Sequence, residues 1–250
     1  MFPEITFIII AAFIGVIVQS VSGMGMMLFL TPTLLLFLSP PTAIITGLIS
    51  GILLSSLILL NEHRKREALY NYLPYLLLAS IPGIFIGAQL ISKISKSHLL
   101  IMVGLMILTT VFLQKIKFNH PHSRFESKKW AILSGLVAGI FNASTSMGGP
   151  ALALWIRSFT KKIHPLRDTL NICFIFLNIL SIFFILSVNS GSITKDSLWI
   201  NALLVPIIFC GHFLGKALLR KVSVDKFRFY VFLAITMAGL FSLISGISKL

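Results

Sequence analysis

The sequence predicts an all-α polytopic membrane protein built as two inverted repeats of five helical segments each, the first two segments of each repeat being short or broken pairs. Three observations predict it. Of 250 residues, 56% are hydrophobic and only 11% charged, with a mean hydropathy of +0.97; a soluble domain carries about 25% charged residues. Apolar runs near the length that crosses a bilayer recur along the chain. Glycines, serines and prolines recur at one fixed offset.

The segments follow in order. Residues 5–21 form the first apolar run. No basic n-region precedes it, so it is read as a mature helix and not as a cleaved signal peptide. A shorter run, 26–38, comes directly after. Runs 42–60, 70–91 and 99–113 complete the first five. The second five are 130–141, the short run 150–156, then 166–188, 198–219 and 227–247. Helices apolar all round belong in a deep interior or in lipid, and a chain this short has too little interior. The alternation of a membrane β-barrel is absent. Cys173 and Cys210 lie inside apolar segments and read as small core residues.

The formal net charge is +14. Nucleic-acid binding is not the expected meaning, because Lys and Arg sit almost wholly between the apolar runs, as the positive-inside rule requires. The rule also decides the segment count. Eight crossings divide the 21 basic residues into 10 and 11. Ten segments gather 17 on one side, in clusters around Arg64–Arg66, Lys115–Lys129, Arg157–Arg167 and Lys216–Arg228. Only Lys93, Lys96, Lys195 and Lys249 remain opposite. The expectation is therefore a multi-pass protein of the cell (inner) membrane, with the 17 facing the cytoplasm and both termini outside it.

The offset is 124 residues. It relates Gly15, Ser20, Ser22 and Gly25 to Gly139, Ser144, Ser146 and Gly149, and Pro41, Pro82 and Gly87 to Pro165, Pro206 and Gly211. Such self-similarity marks an internal repeat. Five segments per half is odd, so the second half enters the membrane from the opposite side, a design common in secondary transporters. The predicted division is 1–116 for the first repeat, 117–129 for a basic cytoplasmic linker and 130–250 for the second repeat. His120 and His122 belong to the solvated linker; no metal site and no cofactor is expected.

Two interruptions stand out. One reads Gln19-Ser20-Val21-Ser22-Gly23-Met24-Gly25, the other Asn142-Ala143-Ser144-Thr145-Ser146-Met147-Gly148-Gly149-Pro150. Irregular backbone at membrane depth survives only inside protein or beside a watery cavity. A helix starting near Gly25 or Gly149 offers free N–H groups and a positive dipole end, and glycine admits a ligand close to that backbone. Two such starts meeting at mid-membrane make an anion site. The expected substrate-binding residues are Gln19, Ser22, Gly23, Gly25, Asn142, Ser144, Thr145, Ser146, Gly148 and Gly149. None of the seven acidic residues lies in the middle of a segment, where a cation carrier keeps carboxylates. The pairs Gly83/Gly87 and Gly211/Gly215 are assigned to helix packing, and Asp168 to a helix-terminus charge.

At these motifs the chain resembles the sulfite exporter TauE/SafE family. The matching pieces are Ser22-Gly23-Met24-Gly25 followed by Thr31-Pro32, Gly139 through Met147-Gly148-Gly149-Pro150, Leu166-Arg167-Asp168-Thr169-Leu170, and Gly211-His212-Phe213-Leu214-Gly215. The chain departs from the family at Met26-Met27, where members often carry a longer glycine cluster. The resemblance implies a non-enzymatic permease for small sulfur-containing anions such as sulfite or organosulfonates. Its partners would be that substrate and the lipid bilayer, with no nucleic acid.

Two other classes compete. An intramembrane serine protease-like enzyme would pair Ser22 with His212 for acyl transfer, which needs the two within hydrogen-bond reach. A non-transporting membrane assembly factor would need neither interruption for binding.

Overall fold

A computed structural model describes residues 2–62, 65–115, 125–160, 162–189, 191, 193–218 and 224–248. Most of the basic linker, with His120 and His122, lies outside the described residues, as do Arg64, Lys161, Arg220, Lys221 and Lys249. Among the described residues all regular structure is helical. The helices are α1 (Phe2–Ser22), α2 (Met26–Phe37), α3 (Pro40–Leu60), α4 (Leu73–Lys93), α5 (Lys96–Lys115), α6 (Lys128–Thr145), α7 (Gly149–Phe159), α8 (Ile163–Val188), α9 (Lys195–Leu218) and α10 (Val224–Ile247).

Prolines open several of them. Pro40, Pro74 and Pro150 occupy the first turns of α3, α4 and α7, where a missing N–H costs nothing. Five helices are long and apolar enough to cross a membrane: Glu4–Ser22, Pro40–Leu60, Leu73–Lys93, Ile163–Val188 and Ser197–Leu218. Large apolar side chains such as Phe7, Leu78, Phe183, Trp199 and Met237 lie more than half exposed. Lipid, not water, is the solvent that accepts such a surface.

Each half starts with a pair of helices broken from one another, and the two arms are unequal. α1 has 21 residues and α6 has 18, so the first arm of each pair is nearly full length. The second arms are the short ones. α2 has 12 residues and α7 has 11, roughly 17–18 Å at 1.5 Å per residue, against an apolar core of about 30 Å. The reason is local. Small polar residues do not stop α1 or α6, which run through Ser22 and Thr145; the chain breaks only where the backbone turns to positive φ, at Gly23, Gly25 and Ser146.

The main packing partners join one half to the other. α4 packs on α6, α1 on α9, α3 on α8 and α5 on α10. Exchanging the first five helices for the second five turns α4–α6 into α9–α1 and returns α3–α8 and α5–α10 to themselves. The α4–α6 crossing brings backbone onto backbone. A Cβ on Gly83, Gly87, Gly135 or Gly139 would run into the carbonyl oxygen of Leu136, Ile140, Leu76 or Ser80. At α1–α9, Gly211 and Gly215 instead face Val16, Ile17 and Ser20.

The buried side chains form two clusters. One is built mainly on α3, α4, α6, α7 and α8, the other mainly on α1, α2, α3, α5 and α9. Each interruption sends its methionine across. Met24, from the first half, lies in the cluster of α7 and α8, while Met147, from the second, lies in the cluster of α1 and α2.

Asp168 is not the helix-terminus charge expected of it. α8 begins at Ile163, so Asp168 lies in its second turn, buried, and accepts the Glu67 N–H at 2.7 Å. Thr169 Oγ1 accepts the Leu69 N–H at 2.9 Å. Together they hold the α3–α4 connection onto α8. Asp168→Ala is expected to lower stability by about 1.5–3 kcal/mol, the range for a charged hydrogen bond. Thermal unfolding in detergent measures it, and an unchanged midpoint would remove this role.

Candidate functional site

The site begins where α1 stops. The Gly23 N–H still bonds to Gln19 O at 2.8 Å, then φ turns to 87° at Gly23 and 137° at Gly25. Left-handed backbone of this kind favours glycine. Gln19, on the last full turn of α1, reaches across the break: its Oε1 accepts the Met26 N–H at 3.2 Å. One orphan donor at the start of α2 is thereby satisfied. The carboxamide NH2 of Gln19 is left for other partners.

The second break is built differently. α6 ends at Ser146 in the left-handed conformation, φ 56°, with its N–H on Asn142 O at 2.8 Å. Its Oγ donates to Thr145 O at 2.6 Å and lies 2.6 Å from Thr31 Oγ1 of α2. With its own proton spent, Ser146 accepts from Thr31. That bond ties α2 to the end of α6. A Cβ on Gly149 would sit 3.6 Å from Met24 Cβ, so the two interruptions face each other.

Between them lies a narrow cavity of about 30 Å³, room for a water-sized group. Gln19, Gly25, Asn142, Ser146 and Gly149 line it. The other expected site residues take other places. Ser22 keeps its hydroxyl at Val18 O and Met24 O. Ser144 and Thr145 donate back to Ile140 O and Phe141 O within α6, each at 2.7 Å. Gly23 packs on the Arg167 side chain and Gly148 on Ala138 and Asn142.

Among the residues outside the interruptions that complete the wall are Gly51 and Ser55 of α3, and Phe174 and Asn178 of α8. Sequence reasoning passed over them because they sit inside unbroken apolar helices. A signal exists: Gly47, Gly51 and Ser55 repeat every four residues, which places them on one helix face. Asn178 and Phe174 share the same spacing on α8. Asn142 Nδ2 donates to Asn178 Oδ1 at 3.0 Å and to Ser181 Oγ at 3.1 Å. The Asn178 oxygen is therefore occupied.

Among the described residues no ionisable side chain lines the cavity, and no group of three or more His, Cys, Asp or Glu gathers anywhere. Arg167 is close to the first break but its Nη1 pairs with Glu62 Oε1 at 2.7 Å. The Ser22–His212 pair that a serine enzyme would need is not formed. His212 Nδ1 lies 3.0 Å from Ser20 Oγ instead, tying α9 to α1.

A family model described as Sulfite exporter TauE/SafE matches residues 7–242. No curated protein and no solved structure matches the chain.

Proposed function

The chain belongs to the sulfite exporter TauE/SafE family, a family of multi-pass membrane transporters, and from that premise we propose a permease for small anions. We take the substrate to be sulfur-containing, sulfite or an organosulfonate, held between the two interrupted helices near mid-membrane. One observation carries the reading: the cavity sits at the starts of two half-length helices, with hydrogen-bond donors and no carboxylate on its wall. Helix starts favour negative charge, and no carboxylate stands on the wall to draw a cation.

The five-plus-five pairing of helices supports the inverted repeat, and the half-length α2 and α7 fit the discontinuous helices that such repeats place at a binding site. In the proposed orientation the basic loops face the cytoplasm and both termini lie outside it.

Thermal shift of the purified protein with sulfite, methanesulfonate, sodium and potassium tests the reading. A ligand present at 100 times its Kd stabilises the folded state by about 2.7 kcal/mol, so an anion should raise the midpoint and neither cation should. Gln19→Ala is the informative variant: it removes the cavity-lining carboxamide whose NH2 is left for other partners, and it should lower the anion-induced shift. Stabilisation by cations alone would end the anion proposal.

A further inference from the structure

The part of the cavity wall built by α3 and α8 carries two polar side chains, Ser55 and Asn178. Serine and threonine inside these helices ordinarily satisfy themselves on the preceding turn. Thr33, Thr110, Ser144, Thr145, Ser187 and Thr236 all donate to a carbonyl four residues back. Ser55 does not. It is 0% exposed, lines the cavity, and its Oγ has no hydrogen-bond partner. Thr46 of the same helix shares that state but does not line the cavity. A buried hydroxyl without a partner is costly, so its retention on a cavity wall points to a ligand.

Asn178 of α8 lines the same cavity as Ser55. Its oxygen is held by Asn142 Nδ2, which fixes the amide so that Nδ2 points the other way. On that side stands Gly51, where a Cβ would come within 2.6 Å of Asn178 Nδ2. The glycine makes room for the amide nitrogen. Asn178 is 5% exposed and lines the same cavity.

We propose that Ser55 Oγ and Asn178 Nδ2 form a second donor wall that binds the oxyanion head of the substrate from α3 and α8, with Asn142 as the residue that positions Asn178. This rests on the anion reading above and extends it. The ligand is an oxyanion with acceptor oxygens on more than one face: Gln19 and the helix starts take one face, Ser55 and Asn178 another. A donor pair on two uninterrupted helices also gives the site a fixed half, because α3 and α8 pack directly on each other.

Binding of sulfite and methanesulfonate to the full-length protein, followed by titration calorimetry, tests the proposal in wild type, Ser55→Ala, Asn178→Ala and Asn178→Asp. Loss of one hydrogen bond to a charged group corresponds to roughly 10- to 100-fold in affinity. Ser55→Ala should weaken the probe by about 10-fold while leaving the ligand-free thermal midpoint unchanged or higher, since it removes an unpaired buried hydroxyl. A purely structural serine would not show that split. Asn178→Ala should cost more, and Asn178→Asp should abolish binding by setting a carboxylate against the anion. If Asn178→Ala does not fold, Ser55→Ala decides alone. Wild-type affinity in Ser55→Ala, or in a folded Asn178→Ala, overturns the second wall and leaves the anion reading standing. Failure of the wild-type protein to bind either probe overturns both.

Discussion

Gly25→Ala is expected to abolish substrate movement while most of the helical bundle stays folded. Gly25 has φ 137° and ψ −20°, a combination closed to residues with a Cβ. Holding alanine there costs about 1–3 kcal/mol, and its methyl would also meet Val18 Cγ1 at 2.6 Å. The total is less than the roughly 5–15 kcal/mol by which folded domains are stable. The chain is therefore expected to relax locally, and the relaxation falls on the site. Gly25 lines the cavity, and the next N–H, that of Met26, is the one capped by Gln19. Shifting it withdraws both the helix start and the Gln19 amide from the ligand. Uptake into vesicles should fall by well over the roughly tenfold that 1.4 kcal/mol represents. Gly149→Ala supplies the comparison: its backbone is ordinary, its methyl would meet only the tip of the Phe174 ring at 2.9 Å, and its defect should be milder. Full transport by Gly25→Ala would show that the first break is not part of the site.

Gly139→Val should prevent the protein from accumulating in folded form. The obstacle at Gly139 is the Ser80 carbonyl of α4, which no rotamer change can remove. Gly83, Gly87 and Gly135 face carbonyls in the same way, so separating the helices at one point loosens the entire crossing. Overpacking a core costs typically 1–3 kcal/mol and occasionally more; a backbone collision belongs at the upper end. In a chain of this size 1 kcal/mol moves the midpoint by about 2–4 °C, so a fall of more than about 10 °C, or loss of monodisperse protein after solubilisation, is the expected result. Gly215→Ala on α9, whose nearest neighbour is Ser20 Cβ at 3.1 Å, should be tolerated far better. Equal damage from both substitutions would argue against the carbonyl contact as the cause.

The two effects mark what was legible in the sequence. Glycine and proline constrain backbone directly, so Gly25, Gly149 and Pro150 announce the breaks and the offset of 124 pairs them. Hydropathy and the distribution of basic residues together place the ten segments. Side-chain direction is less visible. Ser22, Ser144 and Ser146 look alike as residues in a polar stretch, yet Ser144 turns back onto its own helix while Ser146 reaches Thr31 on another. Whether a hydroxyl serves its helix or the cavity depends on rotation about the helix axis, which only packing fixes. Ser55 and Asn178 were hidden for the opposite reason: single polar residues in long apolar helices look like tolerated exceptions until a cavity is found beside them. Asp168 misled because a carboxylate near the start of a helix usually answers to the dipole, whereas here the connection before α4 claims it.

The crossed methionines bear on how the protein is made. Met24 is synthesised 123 residues before Met147, yet each finishes in the buried cluster that contains the short helix of the other half. The early half therefore enters the bilayer with its break uncovered and Met24 without its α7 and α8 neighbours. Membrane insertion of α1–α5 can precede translation of the rest, but closure of either break cannot. Completion of the cavity thus waits for α7 and α8, and a ribosome stalled before α7 leaves behind helices without a finished site.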